Sequence, residues 1–355
     1  RYLSKRLFLQ CRQLMSASNY AGDRISYFPF LRQQFGSSKD DIFRGMVIAR
    51  KNIPCSVKKI SRTKCTNDER ELKLLKNLVH KNILRIWDVH ADVESIFVAS
   101  DLYHGNLEML VNSGIEDKTT KIRILSQTLN AIEFLHSNDI AHRDIKLASI
   151  CYICSGSDSY NIMLTDFGIK ERGHPSSKGF QAQELVLKNN GELEDASWTP
   201  SNDDYKKCDV FSFGVVSFMV LTDGKHPFSN PDPKKARREA DRENRIADGE
   251  NPNLADIEDK EAMHLIQNCL SHDSAMRPSS ERLARFHPLF FTAQRRAQAI
   301  ISVEAGGQNL QYLEKFCTSW NWKDAFFDLF EDDGSLMGAD GEEVYFNKYG
   351  RELIR

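Results

Sequence analysis

The stretch AHRDIKLASICYICSGSDSYNIMLTDFG, Ala141–Gly168, holds the residues whose types and spacing best suit chemistry. Its HRD triplet offers Asp144 as a base for the proton of a substrate hydroxyl, and Lys146 follows two residues later. Its DFG triplet offers Asp166, a carboxylate of the kind that binds Mg²⁺. Phosphoryl transfer needs positioning and charge neutralisation more than covalent help, so these groups indicate transfer from a nucleotide.

A phosphate-binding lysine and a glutamate to hold it are expected upstream of these triplets. Lys58 lies in the strand-like run IPCSVKKI, and Glu71 lies in TNDERELKLLKNLV, where apolar residues recur at helical spacing. A single lysine–glutamate pair is usually a surface contact worth about 0–1 kcal/mol. The order of lysine, glutamate, HRD and DFG, rather than any one of them, predicts a phosphotransferase site.

The elements that must position these residues change character along the chain. Short apolar runs such as IPCSVKKI and SIFVASDLY predict strands, and Pro54 in the first run favours a sheet edge. After Gly105, KTTKIRILSQTLNAIEFLHSN predicts an amphipathic helix and CDVFSFGVVSFMVLTDG a core helix. We predict an α+β fold with four segments: a leader 1–26, a strand-rich lobe 27–102, a helical lobe 103–291 and a helical tail 292–355.

Composition excludes some classes of function. The 355 residues are 41% hydrophobic and 28% charged with a formal net charge of −2, so no basic field attracts nucleic acid. No apolar run approaches the ~20 residues of a membrane span, and no signal peptide is visible. Cys151 and Cys154 are the only close pair among eight cysteines, which favours buried thiols over a metal site. Because the first residue is Arg1, we expect an excised region of a longer protein.

From Tyr27 to Phe291 the chain resembles eukaryotic protein kinases. AQELV resembles the APE motif, CDVFSFG resembles the central-helix motif, and AMRP offers Arg277 as the partner of Glu184. The resemblance implies the bilobal protein-kinase fold, with ATP or ADP and Mg²⁺ as cofactors. It implies that Asp209 holds the catalytic loop.

The same resemblance implies a role for each residue of the site. Asp144 and Lys146 would be catalytic, and Asp166 and Ser149 would bind metal. The nucleotide would be bound by Gly36, Lys58, Glu71, Asp101 and Tyr103.

A narrower resemblance rests on FGSSKDDIFRGM, RELKLL, GKHPF and RFHPLFF. These segments are similar to the inositol-requiring kinase/endoribonucleases that sense unfolded protein in the endoplasmic reticulum, and ribonuclease L is the next most similar family. NWKDAFF and YFNKYGRELIR resemble the first part of the nuclease extension of that family. The resemblance implies a homodimer on the cytosolic face of the endoplasmic reticulum that phosphorylates itself.

The nuclease itself is not predicted from this chain. No histidine follows His287, and the residues from Thr292 onward contain 7 Lys and Arg against 11 Asp and Glu, a net −4. Acid–base cleavage of RNA needs a group such as histidine, and binding of RNA needs positive charge. We therefore assign no ribonuclease residue, and RNA would be reached only through an extension that is incomplete here.

Several departures from the kinase pattern predict slow phosphoryl transfer. Ser149 stands where asparagine usually binds a second Mg²⁺, and Ser38 and Asp41 stand where glycines usually approach phosphate. Ser56 replaces the alanine that faces adenine, and Ser100 would be a small gatekeeper beside the adenine pocket. The alternatives left open are a nucleotide-binding pseudokinase scaffold of the same family and a free-standing kinase of another family.

Overall fold

The computed structural model describes most of the two predicted lobes. The described residues are 19–33, 41–63, 75–156, 159–167, 178–193, 195, 197–230, 239–292 and 295, with two short strands at 335–337 and 343–345. Gly36, Ser38 and Glu71 lie outside these residues, as do the predicted helix TAQRRAQAIISV, apart from Arg295, and most of the predicted tail.

An antiparallel sheet of six strands forms the N-terminal lobe, in the order β1-β2-β3-β4-β6-β5. The inner face of this sheet buries Val47, Cys55, Val57, Phe97 and Ala99. These residues sit at alternating positions of neighbouring strands, as the period of two in a half-buried sheet requires. The strands are β1 (Asn19–Ala21), β2 (Ile25–Gln33), β3 (Asp41–Val47), β4 (Ile53–Ser61), β5 (Ile86–Ala91) and β6 (Ser95–Ser100).

The predicted leader ends earlier than residue 26. Asn19 to Ala21 pair with Ile25 to Tyr27, so a tight hairpin joins the sheet before Tyr27. Ala21 and Ile25 are buried in the sheet core. Three-residue strands around a turn give too short a pattern for sequence periodicity to detect, and the boundary predicted at Tyr27 is wrong for this reason.

Strand β4, which carries Lys58, is central rather than at the edge. It pairs with β3 from Ile53 to Lys59, and with β6 from Ser56 to Ser61. Pro54 therefore lies where the strand has one neighbour, and its missing N–H leaves no gap in the β6 pairing. The edge position predicted from Pro54 is correct for that residue, but it is wrong for strand β4 as a whole.

Seven α-helices of the described residues build the C-terminal lobe. The lobe also holds a small sheet of β7 (Gly105–Asn106), β8 (Ile150–Gly156) and β9 (Ser159–Leu164). None of its described helices is long and apolar enough to cross a membrane. The helices are α1 (Leu107–Ser113), α2 (Lys118–Ser137), α3 (Gln183–Asn190), α4 (Asn202–Leu221), α5 (Glu239–Ala247), α6 (Lys260–Cys269) and α7 (Ser280–Phe286).

The two helices predicted most directly from periodicity are confirmed. In α2 the predicted face packs inward, and Asp117 caps the first turn by accepting from the N–H groups of Thr119 and Thr120. Helix α4 is buried from Cys208 to Val220 and begins six residues before the predicted apolar run, because a capping box at Ser201 starts it with a polar turn.

Apart from Thr292 and Arg295, the residues described within the predicted tail are two short paired strands. Ser335–Met337 (β10) pairs antiparallel with Glu343–Tyr345 (β11). A helical extension is predicted for this region, whereas these six residues form strands.

A buried ion pair ties α3 to the end of the lobe. Arg277, whose side chain is fully buried, donates from both terminal nitrogens to the Glu184 carboxylate at 2.7 and 2.9 Å. Burial raises the pKa of Glu184, but the hydrogen bonds and charge of Arg277 outweigh it, and the pKa lies below its usual value. The pairing of these two residues predicted from the sequence is confirmed.

Glu184→Gln should lower the free energy of unfolding by about 3 kcal/mol at pH 7, because it leaves the Arg277 charge buried and uncompensated. A carboxyl with a lowered pKa stabilises the fold above its unfolded pKa and loses that effect as pH falls. The difference between native and variant should therefore shrink below about pH 4.

Urea unfolding at several pH values measures this difference. Glu281→Gln is the matched control, since the Glu281–Arg285 pair is exposed on both sides and should change stability by at most about 0.5 kcal/mol. An equal effect of the two substitutions at pH 7 would contradict the assignment.

Candidate active site

A cleft between the sheet and the helical lobe is lined by three of the predicted site residues, Lys58, Tyr103 and Asp166. Strand β3 contributes Ile42, β4 contributes Ser56 and Lys58, and β6 contributes Val98 and Ser100. The helical lobe contributes Ala148, Thr165, Asp166 and Phe167. Polar groups thus converge on one side of a mostly apolar slot, which suits a ligand with an apolar ring and charged groups.

An ion pair between the two lobes crosses the cleft. The Nζ atom of Lys58 lies 2.8 Å from Oδ1 of Asp166, and both side chains are less than one-fifth exposed. Lys58 is fixed in the sheet opposite Ile42 and Val98. Asp166 adopts a left-handed φ of 63°, which aspartate tolerates better than most residues. A cation for phosphate and a carboxylate for metal are therefore adjacent.

The segment that joins the lobes holds Asp101 and Tyr103. The Asp101 carboxylate accepts from Nε1 of Trp87 at 2.6 Å, and its N–H donates to the Arg85 carbonyl at 3.0 Å. Asp101 does not line the cleft, whereas Tyr103 does. The Asp101 side chain thus stabilises the segment that joins the lobes. A contact of Asp101 with an adenine base would come from its backbone.

Asp209, in helix α4, anchors the catalytic loop, as predicted. Its buried carboxylate accepts from the N–H groups of His142 and Arg143 at 2.6 and 2.8 Å, and it lies 3.0 Å from Nε2 of His136. Arg143 has a left-handed φ of 74° and stacks on the Tyr205 ring, 4.1 Å from its centre. His136 and Tyr205 are not predicted from the sequence, because neither belongs to a recognisable spacing.

Asp144 and Lys146, the two predicted catalytic residues, touch one another. Nζ of Lys146 donates to Oδ2 of Asp144 at 2.5 Å, and the lysine side chain is 9% exposed against 25% for the carboxylate. The partly exposed carboxylate is accessible to a hydroxyl, and the adjacent ammonium provides positive charge at the same place. This pair suits a base and a phosphate-neutralising group.

Ser149 does not face the cleft, contrary to its prediction as a metal ligand. The residue is fully buried. Its hydroxyl donates to the Lys146 carbonyl at 3.0 Å and accepts from the Lys146 N–H at 3.1 Å. Turning the hydroxyl outward would break both hydrogen bonds at a cost of about 1 kcal/mol each, although the Lys146 carbonyl would still accept from the Ser149 N–H. The short side chain reaches only the backbone of its own loop, where asparagine would extend further.

The donor set of the described part of the cleft fits a divalent cation at one position. Asp166 is the only carboxylate among the described residues that line the cleft. Carboxylate oxygens are the ligands that Mg²⁺ prefers, and Asp166 meets that requirement. The described residues include no group of three or more histidine, cysteine, aspartate or glutamate side chains that could hold a metal ion without a ligand's help.

The cysteines near the cleft are buried thiols. Burial, and then the charge of Asp166, raises the pKa of the Cys151 thiol, while burial raises the pKa of Cys55 to about 12. Cys154, three residues along β8, is exposed. Cys151 and Cys154, the close pair, thus differ in environment. The buried thiols of Cys151 and Cys55 are not nucleophiles at neutral pH.

Two serines form the end of the cleft beneath the sheet. Ser56 and Ser100 are direct cross-strand neighbours of β4 and β6, and both are buried and line the cleft. Ser56 Oγ lies 3.4 Å from Oε1 of Gln33. Larger residues at these positions would fill the space that the serines leave open.

Comparison with known proteins agrees with this geometry. Residues 42–290 match the family model of the protein kinase domain. "Probable serine/threonine-protein kinase irlB" of Dictyostelium discoideum is 26% identical over 283 residues, which cover 75% of this chain and 18% of that protein. "Serine/threonine-protein kinase 33" of Mus musculus is 27% identical over 194 residues, which cover 49% of this chain and 37% of that protein. The chain thus matches less than two-fifths of the length of either relative.

A solved structure shows the fold. Rad53 1–466 in complex with AMP-PNP superposes with a TM-score of 0.56 at 22% identity, covering 72% of this chain and 63% of that one. The predicted bilobal kinase fold, with a strand-rich lobe and a helical lobe, is confirmed.

Ser100→Met should weaken binding of N6-benzyl-ADP by about 10-fold or more, because the longer side chain overfills the slot beside Ser56. Binding of unmodified ADP should change much less. Competition against a fluorescent nucleotide measures both affinities, and Ser100→Ala, which keeps the space, is the matched control. Equal binding of the bulky analogue to native protein and to Ser100→Met would rule out Ser100 as the gatekeeper.

Proposed function

Because this chain belongs to the protein kinase family, we propose that it is a slow serine/threonine kinase that uses ATP and Mg²⁺. The observation that carries the proposal is the cleft itself. The Lys58–Asp166 ion pair and the Asp144–Lys146 pair supply the cation, the metal carboxylate, the base and the neutralising lysine that phosphoryl transfer requires.

The residues divide the work between binding and transfer. Lys58 holds the phosphates from the sheet, and Asp166 holds a cation that, when bound, neutralises charge on the phosphates. Asp144 accepts the proton of the attacking serine or threonine hydroxyl. Lys146, hydrogen-bonded to Asp144, orients that carboxylate and places positive charge beside the phosphoryl group in transfer.

The rate is expected to be low because one preorganised group is absent. The buried hydroxyl of Ser149 provides neither the metal ligand nor the donor to the base that asparagine would provide. Loss of one such group typically costs about 10²–10³ in rate. This same feature favours the second candidate, a pseudokinase scaffold that binds nucleotide with little or no transfer.

A narrower proposal concerns the biological setting. We infer from FGSSKDDIFRGM, GKHPF, RFHPLFF and NWKDAFF that the chain is the kinase part of a stress-sensor kinase/endoribonuclease. It would act at the cytosolic face of the endoplasmic reticulum, with its own second copy as substrate and dimer partner. Nucleotide-dependent dimerisation would then control an RNase extension, which would be the only part to contact RNA.

Asp144→Asn should reduce incorporation of phosphate from radiolabelled ATP to background, since the amide accepts no proton from the substrate hydroxyl. The native chain should incorporate slowly but measurably more. Asp256→Asn, on the surface of the helical lobe and paired only with exposed Lys225 among the contacts seen, should behave as native. Native incorporation equal to that of Asp144→Asn would favour the scaffold, provided that nucleotide still binds.

Addition of ADP and Mg²⁺ should increase the dimer fraction in sedimentation velocity, because a ligand shifts an equilibrium by its differential affinity for the two states. Lys58→Met should abolish this increase, since it removes the cation that holds the phosphates. An unchanged dimer fraction at ADP concentrations that saturate the site would contradict nucleotide-controlled dimerisation.

A further inference from the structure

We propose that the nucleotide site operates with a single divalent cation, held by Asp166, and that Ser149 is a structural link rather than a metal ligand. The proposal rests on the kinase function proposed above and specifies its cofactor requirement. It follows from where the Ser149 hydroxyl lies and from what else lines the cleft.

A serine hydroxyl can bind Mg²⁺, as it does in phosphate-binding loops, so residue type alone does not decide the matter. A hydroxyl has one proton to donate and two lone pairs. In Ser149 the proton goes to the Lys146 carbonyl and one lone pair accepts from the Lys146 N–H. The residue has no exposed surface, so a hydrated cation cannot approach the remaining lone pair.

The backbone of Ser149 is fixed as firmly as its side chain. Its N–H donates to the Lys146 carbonyl at 3.1 Å, and its own carbonyl accepts from the Thr165 N–H at 2.9 Å. Thr165 directly precedes Asp166. A movement that exposed the Ser149 hydroxyl would therefore also disturb Asp166, the ligand of the first cation. For this reason Ser149 and Asp166 oppose one another as metal ligands in this loop.

No other described side chain of the cleft takes the place of a ligand at residue 149. Among its described lining residues only Asp166 is acidic, and Asn106 uses its side-chain oxygen to cap α1 by accepting from the Met109 N–H at 3.1 Å. The ammonium of Lys146 lies beside Asp144. A fixed positive charge on the catalytic loop thus provides part of the neutralisation that a second cation would supply.

Counting Mn²⁺ tests the proposal without reference to turnover. The full chain is titrated with Mn²⁺ at saturating AMP-PNP, and free Mn²⁺ is followed by electron paramagnetic resonance. Nucleotide binding is measured separately with a fluorescent analogue. We expect one nucleotide-dependent Mn²⁺ per chain. Two would overturn the proposal. A count of zero Mn²⁺ ions would also overturn it. Absence of nucleotide binding would overturn both this proposal and the proposed kinase function.

Three variants separate the roles of the two residues. Ser149→Asn should raise the count from one to two, while Ser149→Ala should leave it at one, because the native hydroxyl binds no cation. Asp166→Asn should remove the nucleotide-dependent Mn²⁺ altogether. Loss of Mn²⁺ in Ser149→Ala would show that the hydroxyl is a ligand and overturn the proposal. A count that stays at one in folded Ser149→Asn would overturn the assignment of the lost site to residue 149.

Discussion

The placement of the base depends on one buried carboxylate, that of Asp209. It receives the backbone N–H groups of His142 and Arg143 and is braced by His136 on the neighbouring helix. Arg143 is held with a φ of 74°, a conformation that costs about 1–3 kcal/mol for a residue other than glycine. The hydrogen bonds of Asp209 offset that cost, and Asp144 follows directly along the chain with its carboxylate on the Lys146 ammonium.

A second set of contacts joins this loop to the metal carboxylate. Nε2 of His142 lies 2.7 Å from the Thr165 carbonyl, and the Thr165 N–H donates to the Ser149 carbonyl. The base and Asp166 are therefore positioned by one connected network that begins in helix α4. Within it, the small residue at 149 serves the geometry of the loop. The same contacts that make the loop rigid remove its hydroxyl from the ligands available to a cation.

The sequence predicted what depends on periodicity or on short spacing. Helix α2 belongs to this group. The predicted partner of Lys58, Glu71, lies outside the described residues, and the contact of Lys58 with Asp166, 108 residues along the chain, is not among the predictions. The direction of a side chain is decided by tertiary contacts that no spacing records. Asp101 meets Trp87 fourteen residues away, and the Ser149 hydroxyl turns to its own loop. The sequence therefore marks residue 149 as a departure from the kinase pattern, while the direction of its hydroxyl is seen only in the structure.

The geometry separates nucleotide binding from transfer more sharply than the sequence does. The Lys58–Asp166 pair spans the two lobes and involves no contact with Ser149, so the groups that hold phosphate and one cation are intact. Only the transition state, in which charge spreads over the oxygens in transfer, requires further neutralisation. In the single-cation site that we propose, Lys146 beside Asp144 provides this charge in place of a second ion. A site of this kind retains affinity while its rate falls, and a nucleotide-dependent change in the arrangement of the lobes requires only the affinity.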